Sequence, residues 1–307
     1  MKTYKIRLNQ ESLNSLYKFG INEINIEFDF KEASNIKNLL PKIIYSILLI
    51  VPIGSCSPGL IFKNEKKDKI AISLNNIKDN RKDMIRRDST IKVFLTFDDG
   101  PNKGTSNIMQ LLDSLSVPAT FFMVGSHIFG SKKQSKIFDS IIKDTNFIIA
   151  NHTFNHAHNR YSKFYKDPSL VLQDFQLMKS SVKLENNFAR TPGRNMWRTA
   201  TICCQESKNL IKVSNTLKAN DFNLIGWDLE WKTKHNKLTK TPDFFLCEMK
   251  KSISKRWTKT ENNIVILLHD QDFENTNNIN YLKSMIQSIK ETKNIEFCKI
   301  NEYPGLN

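Results

Sequence analysis

Two short clusters of acidic and histidine side chains have the residue types and the spacing that a divalent metal site requires. Asp98 and Asp99 end an apolar run, and because side chains alternate in direction along a strand, the two carboxylates can serve different partners. His152 and His156 lie four residues apart, a spacing that places two imidazoles on one face of a helical turn. Two histidines with one carboxylate leave coordination positions open for water and substrate, as catalytic sites do.

The elements that must position these clusters alternate between short apolar strands and amphipathic helices. Strands are predicted at 91–97, 119–124, 146–150, 188–190, 222–227, 264–269 and 295–300. The intervening stretches have helical spacing, including 128–144, 167–183 and a helix that begins at Thr241-Pro242. This alternation predicts an α/β fold with parallel strands, closed as a barrel or open as a wound sheet. The polar clusters follow strand ends, where sites form in both architectures.

Taken separately, an Asp-Asp-Gly-Pro turn or a pair of loop histidines is often only structural or exposed, but the motifs occur here in a recognisable order. Five segments resemble motifs of the polysaccharide deacetylase (NodB-homology) family of carbohydrate esterases. They are Thr96–Pro101, Pro118–Gly125, His152–His156, Arg190–Gly193 and Leu267–His269. The resemblance covers about residues 91–300 and implies a distorted (β/α) barrel of about seven parallel strands.

The resemblance implies a metal site and a base beside it. Asp99, His152 and His156 would bind a divalent metal, Zn²⁺ in the first instance, with Co²⁺ or Ni²⁺ as alternatives. Asp98 would be the general base that takes a proton from the attacking water. Arg190 would pair with Asp98, favouring its ionised form and fixing its orientation.

The resemblance also implies the residues that contact the substrate. His269 would be the general acid that protonates the departing amine. Pro192 and Gly193 would lie against the substrate, with the backbone N–H of Gly193 helping to bind the oxyanion. Leu267 would line the small pocket for the acetyl methyl, and Trp227 is a further candidate for binding the substrate.

The fourth motif of the family departs from its usual pattern. The family shows Asp-x-x-Asp-Trp, whereas this chain has Trp227-Asp228-Leu229-Glu230-Trp231, which is one residue shorter. Asp228 is the candidate that would orient His269, and Glu230 is the alternate. For Trp227 and Trp231, packing in the core and stacking on a sugar are equally open.

The activity implied is metal-dependent removal of acetyl groups from an N-acetylglucosamine-type polysaccharide or peptidoglycan-type substrate at the cell envelope. Two alternatives stay open: an acetyl-xylan-type O-deacetylase or other C–N hydrolase of this fold, and an inactive glycan-binding lipoprotein. A formal charge of +15 favours anionic partners. Nucleic acid is not expected, because the excess lysines are scattered and no zinc finger or recognition helix is found. A monomer is expected.

The amino-terminal region resembles a bacterial lipoprotein signal. An apolar run at 43–53 follows Lys37 and Lys42 and ends in Ile53-Gly54-Ser55-Cys56, similar to a lipobox whose cysteine carries a lipid anchor. We expect a leader at 1–56, a charged flexible tether at 57–90 and a catalytic domain at 91–307. The protein would then be membrane-anchored, facing the periplasm or exterior. Alternatively, the run is a core element followed by an incidental cysteine, and the protein is cytoplasmic.

Overall fold

The computed structural model describes residues 2–4, 25–28, 60–63, 69–73 and 90–306, and the chain divides into two compact units, Met1–Arg87 and Asp88–Asn307. The first unit contains an antiparallel sheet in the order β1-β2-β4-β3. Its strands are β1 Lys2–Tyr4, β2 Asn25–Phe28, β3 Leu60–Lys63 and β4 Lys69–Ser73. Strands β3 and β4 fall within 57–90, the range predicted as a tether.

The lipobox-like cysteine, Cys56, and the apolar run at 43–53 lie outside the described residues. Among the helices that are described, none combines the length and the apolar character needed to cross a bilayer.

The second unit is built on a curled, mostly parallel sheet of ten strands. The strands before residue 210 are β5 Ile91–Asp98, β6 Ala119–Met123, β7 Phe147–Asn151, β8 Phe188–Ala189, β9 Met196–Arg198 and β10 Cys203–Gln205. The later strands are β11 Asn223–Leu224, β12 Leu229–Glu230, β13 Thr233–Lys234, β14 Lys237–Leu238, β15 Asn263–His269 and β16 Ile295–Phe297. The main sheet has the order β10-β9-β11-β8-β7-β6-β5-β15-β12, with β16 paired to β5. The predicted α/β barrel-like fold is confirmed.

The helices lie between the strands, as the sequence periodicity predicts. They are α1 Lys103–Leu115, α2 Gly125–Ile128, α3 Lys132–Lys143, α4 Tyr161–Phe164, α5 Pro168–Ser181, α6 Ile211–Ala219, α7 Pro242–Ser254 and α8 Thr276–Lys290. Thr241 caps α7 as predicted, since its side chain accepts a hydrogen bond from the N–H of Phe244. The helical stretch predicted at 128–144 is present as α3, which begins at Lys132 because Ser131 caps it, while the short α2 ends at Ile128.

Both faces of the central strands are buried, and one face leads to the polar residues. Along β5, Val93 and Leu95 belong to one hydrophobic cluster, whereas Phe94 belongs to a second. Because successive side chains alternate between faces, Thr96 and Asp98 follow Phe94 on the same face. The second cluster therefore changes from apolar to polar at the carboxyl end of β5.

Sequence reasoning missed the antiparallel elements of this unit. β9 and β10 form an antiparallel pair that joins the sheet through β11, and β13 and β14 form a separate two-stranded ribbon. These strands have two or three residues each, too few for a period-two pattern to be recognised.

Candidate active site

Asp98 is held by a fully buried arginine at the carboxyl end of β5. Nη1 of Arg190 donates to Oδ1 of Asp98 at 2.8 Å and to the hydroxyl of Thr96 at 2.8 Å. The other guanidinium nitrogens donate to the carbonyls of Ile225 and Gly226 at 3.0 and 2.8 Å. Every arm of the guanidinium is therefore engaged, and it fixes one oxygen of Asp98 while the other stays available. The predicted Arg190–Asp98 pair is present.

Asp99 begins the turn that follows β5. Its φ is +77°, a left-handed value that aspartate tolerates better than most residues. The main-chain carbonyl of Asp99 lies 2.7 Å from Nδ1 of His127. Oδ2 of the Asp99 side chain accepts a hydrogen bond from Nε2 of Gln271 at 3.1 Å. These contacts leave Oδ1 buried without a hydrogen-bond partner among the described residues.

The two histidines approach that same oxygen from the loop after β7. Nε2 of His152 lies 3.3 Å from Oδ1 of Asp99, and Nε2 of His156 lies 3.1 Å from it. The helical turn predicted for this pair is wrong: His156 has a left-handed backbone with φ +50°, and the loop brings the rings together instead. Their convergence thus depends on a special backbone conformation that the i, i+4 argument does not describe.

The donor set fits a divalent cation. Nδ1 of His152 lies 2.9 Å from the carbonyl of Arg190, which can only accept, so the neutral ring carries its proton on Nδ1 and turns the lone pair of Nε2 toward Asp99. Nδ1 of His156 faces Oδ1 of Asn159 at 3.1 Å in the same manner. Two lone pairs and a carboxylate oxygen, all within 4.8 Å of one another, repel unless positive charge lies between them. The predicted residues Asp99, His152 and His156 are brought together.

The pKa values of Asp99 and His156 also indicate that the site favours a positive charge. Burial works to raise the pKa of Asp99, but the adjacent His152 and His156 hold it far below its usual range. Burial works to lower the pKa of His156, but the adjacent Asp99 raises it above the usual value. The carboxylate is therefore ionised, and the site attracts a proton or a metal ion.

A cavity of about 340 Å³ opens over these residues, within the size range of small-molecule sites. Its lining residues are Asp98, Asp99, His152, His156, Tyr161, Gly193, Arg194, Glu206, Trp227, Glu230, Lys232, Leu267 and His269. His269 is the register partner of Asp98 on the adjacent parallel strand, which explains why base and acid candidates face one space. Leu267, Gly193 and Trp227 lie where the sequence places them.

The structure corrects or refines the sequence-based assignments of Asp228, Trp231 and Pro192. Asp228 does not hold His269: its two carboxylate oxygens accept from the N–H groups of Lys259 and Val265 at 2.9 and 2.8 Å. The shortened motif places Asp228 opposite Val265, well before the strand end. Glu230, the alternate, lines the cavity with His269.

Trp231 and Pro192 also lie away from the cavity surface. Trp231 is fully buried and stacks on Phe245 with ring centroids 4.8 Å apart, so it packs in the core. Pro192 is buried, is absent from the cavity lining, and accepts a hydrogen bond from the hydroxyl of Tyr165 at 2.6 Å. Its role is to support the chain before Gly193.

A buried carboxyl lies beneath the Asp98–Pro101 turn, and sequence reasoning missed it. Asp270 follows His269 directly, is fully buried, and accepts a hydrogen bond from the hydroxyl of Thr105. Burial raises its pKa well above the usual value. A Cβ at Gly100 would lie 2.1 Å from Oδ2 of Asp270, so the glycine of this turn is required by close approach.

The site also contains residues that lie outside the sequence motifs. Asn159 and Tyr161 contact His156 from the turn that follows it, and Gln271 contacts Asp99. Asp272 lies close enough to His269 for charge interaction: burial raises the pKa of Asp272, while a hydrogen bond from Thr233 and the nearby His269 work to lower it. None of these has a sequence signal beyond proximity to a motif.

Residues 86–199 match the sequence profile of the family described as polysaccharide deacetylase. The chain is similar to a chitin disaccharide deacetylase of Vibrio alginolyticus, with 24% identity over 200 residues covering 45% of this chain and 47% of that protein. It is also similar to a chitooligosaccharide deacetylase of Rhizobium leguminosarum bv. phaseoli, with 40% identity over 65 residues covering 21% and 27%. The matched regions thus span less than half the length of these curated relatives.

Two solved structures have the same fold. A CE4 esterase of Streptococcus mutans superimposes with a TM-score of 0.52 at 22% identity, covering 68% of this chain and 87% of that one. The catalytic domain of a peptidoglycan N-acetylglucosamine deacetylase from Eubacterium rectale gives 0.50 at 19% identity, covering 73% and 100%. The ordered motifs, the family profile over residues 86–199 and the fold of the second unit agree with one another, so this region is similar to polysaccharide deacetylase domains.

Proposed function

We propose that the protein removes acetyl groups from an N-acetylglucosamine-type polysaccharide with the help of a divalent cation, Zn²⁺ in the first instance. The observation that carries the proposal is the convergence of Asp99, His152 and His156 at the floor of a cavity that Asp98 and His269 also line. The names of the similar deacetylases, which act on chitin fragments, support the same substrate class.

The base in this proposal is Asp98. Its Oδ1 is held by Arg190, while its Oδ2 lies 3.7 Å from Nε2 of His152, on the side of the metal ligands. A divalent cation, when bound, lowers the pKa of water and polarises a carbonyl. Asp98 takes the proton from the attacking water, and the hydrogen bond from the buried guanidinium holds the carboxylate in position.

His269 acts as the general acid. It ends β15 directly beside Asp98 of β5, so the two side chains can reach one acetamide group. His269 donates a proton to the nitrogen as the C–N bond breaks. Glu230 lines the same cavity, and Asp272 lies close enough to His269 for charge interaction.

The remaining lining residues hold the substrate. Gly193, with φ +62°, presents backbone at the cavity surface, and its N–H donates to the oxyanion. Leu267, almost fully buried, forms the wall that receives the acetyl methyl. Trp227 offers a half-buried ring against which one face of a sugar packs.

The test is acetate release from N-acetylglucosamine oligomers by the purified chain, loaded with Zn²⁺, Co²⁺ or Ni²⁺ and compared with chelator-treated protein. We expect release only from the loaded protein. Acetylated xylan serves as the comparison substrate. Release from xylan alone would overturn the N-acetylated substrate, and metal uptake without any release would favour a glycan-binding protein.

We further propose that the protein works as a monomer at the cell envelope, anchored through Cys56. The support is the lipobox-like sequence Ile53–Cys56 and the location of polysaccharide substrates. Expression in a bacterium with labelled palmitate should give a labelled protein in the membrane fraction. Cys56→Ser should lose both label and membrane association, and an unlabelled wild-type protein would contradict the anchor.

A further inference from the structure

The turn that follows His156 has an unusual backbone. His156, Ala157, His158 and Asn159 have φ values of +50°, +54°, +47° and +56°, four successive residues in the left-handed region. L-residues rarely adopt this conformation even singly, because Cβ approaches the neighbouring carbonyl. A run of four without glycine needs a compensating interaction.

The turn brings the side chain of Asn159 back onto the ring of His156. Oδ1 of Asn159 lies 3.1 Å from Nδ1 of His156. The hydroxyl of Tyr161 donates to the same oxygen at 3.4 Å, which orients the amide. The Tyr161 ring stands at 88° to the His156 ring with centroids 5.9 Å apart, so it limits how far the imidazole can rotate.

We propose that Asn159 and Tyr161 are positioning residues for His156, an inference that rests on the metal site of the proposed function. An acceptor at Nδ1 holds the proton there and leaves the lone pair of Nε2 directed at Oδ1 of Asp99. Tyr161 fixes the acceptor and packs beside the ring. His152 needs no such support from a loop, because a main-chain carbonyl holds its Nδ1.

The left-handed backbone allows the acceptor to be removed without adding strain. Glycine tolerates positive φ, so Asn159→Gly deletes Oδ1 while keeping the turn accessible. His158→Gly is the matched control, since His158 is an exposed residue of the same turn with nearly the same φ. Asn159→Asp restores an acceptor, and aspartate also tolerates this conformation.

The affinity of the full chain for Zn²⁺ alone, measured by calorimetry without substrate, tests the proposal. We expect Asn159→Gly to bind about tenfold more weakly than His158→Gly, as other changes behind metal-ligating histidines do. Asn159→Asp should bind at least as tightly as wild type. Tyr161→Phe, which keeps the ring and loses the hydroxyl, should show a smaller loss than Tyr161→Ala.

A spectroscopic readout separates positioning from a merely structural role. Nitrogen-15 NMR of the Zn²⁺-loaded protein should show the His156 ring protonated at Nδ1 in wild type and Asn159→Asp, with the other tautomer populated in Asn159→Gly. Equal Zn²⁺ affinity in Asn159→Gly and His158→Gly, or an unchanged tautomer, would overturn the inference alone. A wild-type chain that binds Zn²⁺ but releases no acetate would overturn the deacetylase activity and leave this inference standing.

Discussion

The two histidines that face Asp99 are held by different parts of the molecule. His152 is 2% exposed and is fixed by the main chain of Arg190, whose own side chain is tied to the core beneath the site. The side chain of His156 is 17% exposed and depends on a left-handed turn and on two side chains of that turn. We call His152, Arg190 and Asp98 the core side of the site, and His156 with its left-handed turn the loop side. The core side is coupled to the stability of the fold, whereas the loop side can be altered locally. Mutations on the two sides should therefore have different effects on stability and on metal binding.

The largest expected effect tests the chemistry at the core side. Asp98→Asn keeps an oxygen that Arg190 can bind but removes the base, so turnover should fall by about 10²–10⁴-fold. Metal content should be unchanged, because Asp98 is not among the three converging ligands. Asp99→Asn should instead lose the metal. Kinetics together with metal analysis distinguishes these results, and loss of metal from Asp98→Asn would reverse the two assignments.

The next effect measures how strongly the core side is coupled to folding. Arg190→Met removes the cation that contacts buried Asp98 and three other acceptors. Leaving a buried charge unpaired typically costs about 3–5 kcal/mol, and we expect a loss of that size in the free energy of unfolding. Urea denaturation of the metal-free protein provides the value. Asn159→Gly, on the loop side, should change it little, and comparable losses in both variants would contradict the division between the core side and the loop side.

The pH dependence of stability probes the strand behind the core side. Burial raises the pKa of Asp228 to about 6, although two backbone N–H groups and nearby cations work to lower it. The unfolded carboxyl has a pKa of about 3.9, so the folded protein binds this proton more tightly. The resulting stabilisation is present below about pH 4 and is lost as the pH rises through about 6, an amount of about 3 kcal/mol.

Asp228→Asn isolates this contribution from the other titrating groups. The variant has a constant penalty, because an amide cannot accept from both Lys259 and Val265. Relative to the variant, the wild type should lose stability between pH 4 and pH 7, as followed by urea unfolding at each pH. A difference that stays constant over this range would show that Asp228 is ionised throughout.

Sequence reasoning located the core side of the site and missed most of the loop side. Asp98 and His269 were predicted at strand ends, and the structure shows that their two parallel strands pair in register. Arg190 follows a strand only two residues long, and its motif identified it where periodicity was weak. Leu267, which the family resemblance assigned to the acetyl pocket, and Trp227, for which core packing and sugar stacking were both open, line the cavity.

The loop side is different because backbone conformation there does not follow a pattern of residue types. A left-handed run through His156 and Asn159 has no propensity signal without glycine, so the contact of Asn159 with His156 could not be anticipated. The prediction that Asp228 orients His269 was wrong for a related reason. Its motif is one residue short, and that shift directs the carboxylate to the N–H of Val265, several residues before His269 along β15.

The smallest expected effect concerns the contact between Gly193 on the core side and Tyr161 on the loop side. Gly193 belongs to the segment after Arg190, has φ +62°, and a Cβ placed on it would lie 3.2 Å from ring carbons of Tyr161. Gly193→Ala therefore combines backbone strain with a contact to the loop side, at a total of about 1–2 kcal/mol in unfolding free energy. In a Tyr161→Ala background the contact is gone and only the strain remains. Urea unfolding of the two single variants and the double variant gives the coupling energy between the core side and the loop side. A coupling energy near zero would mean that the loop can adjust without disturbing Gly193. The core side and the loop side would then be independent even where they are in contact.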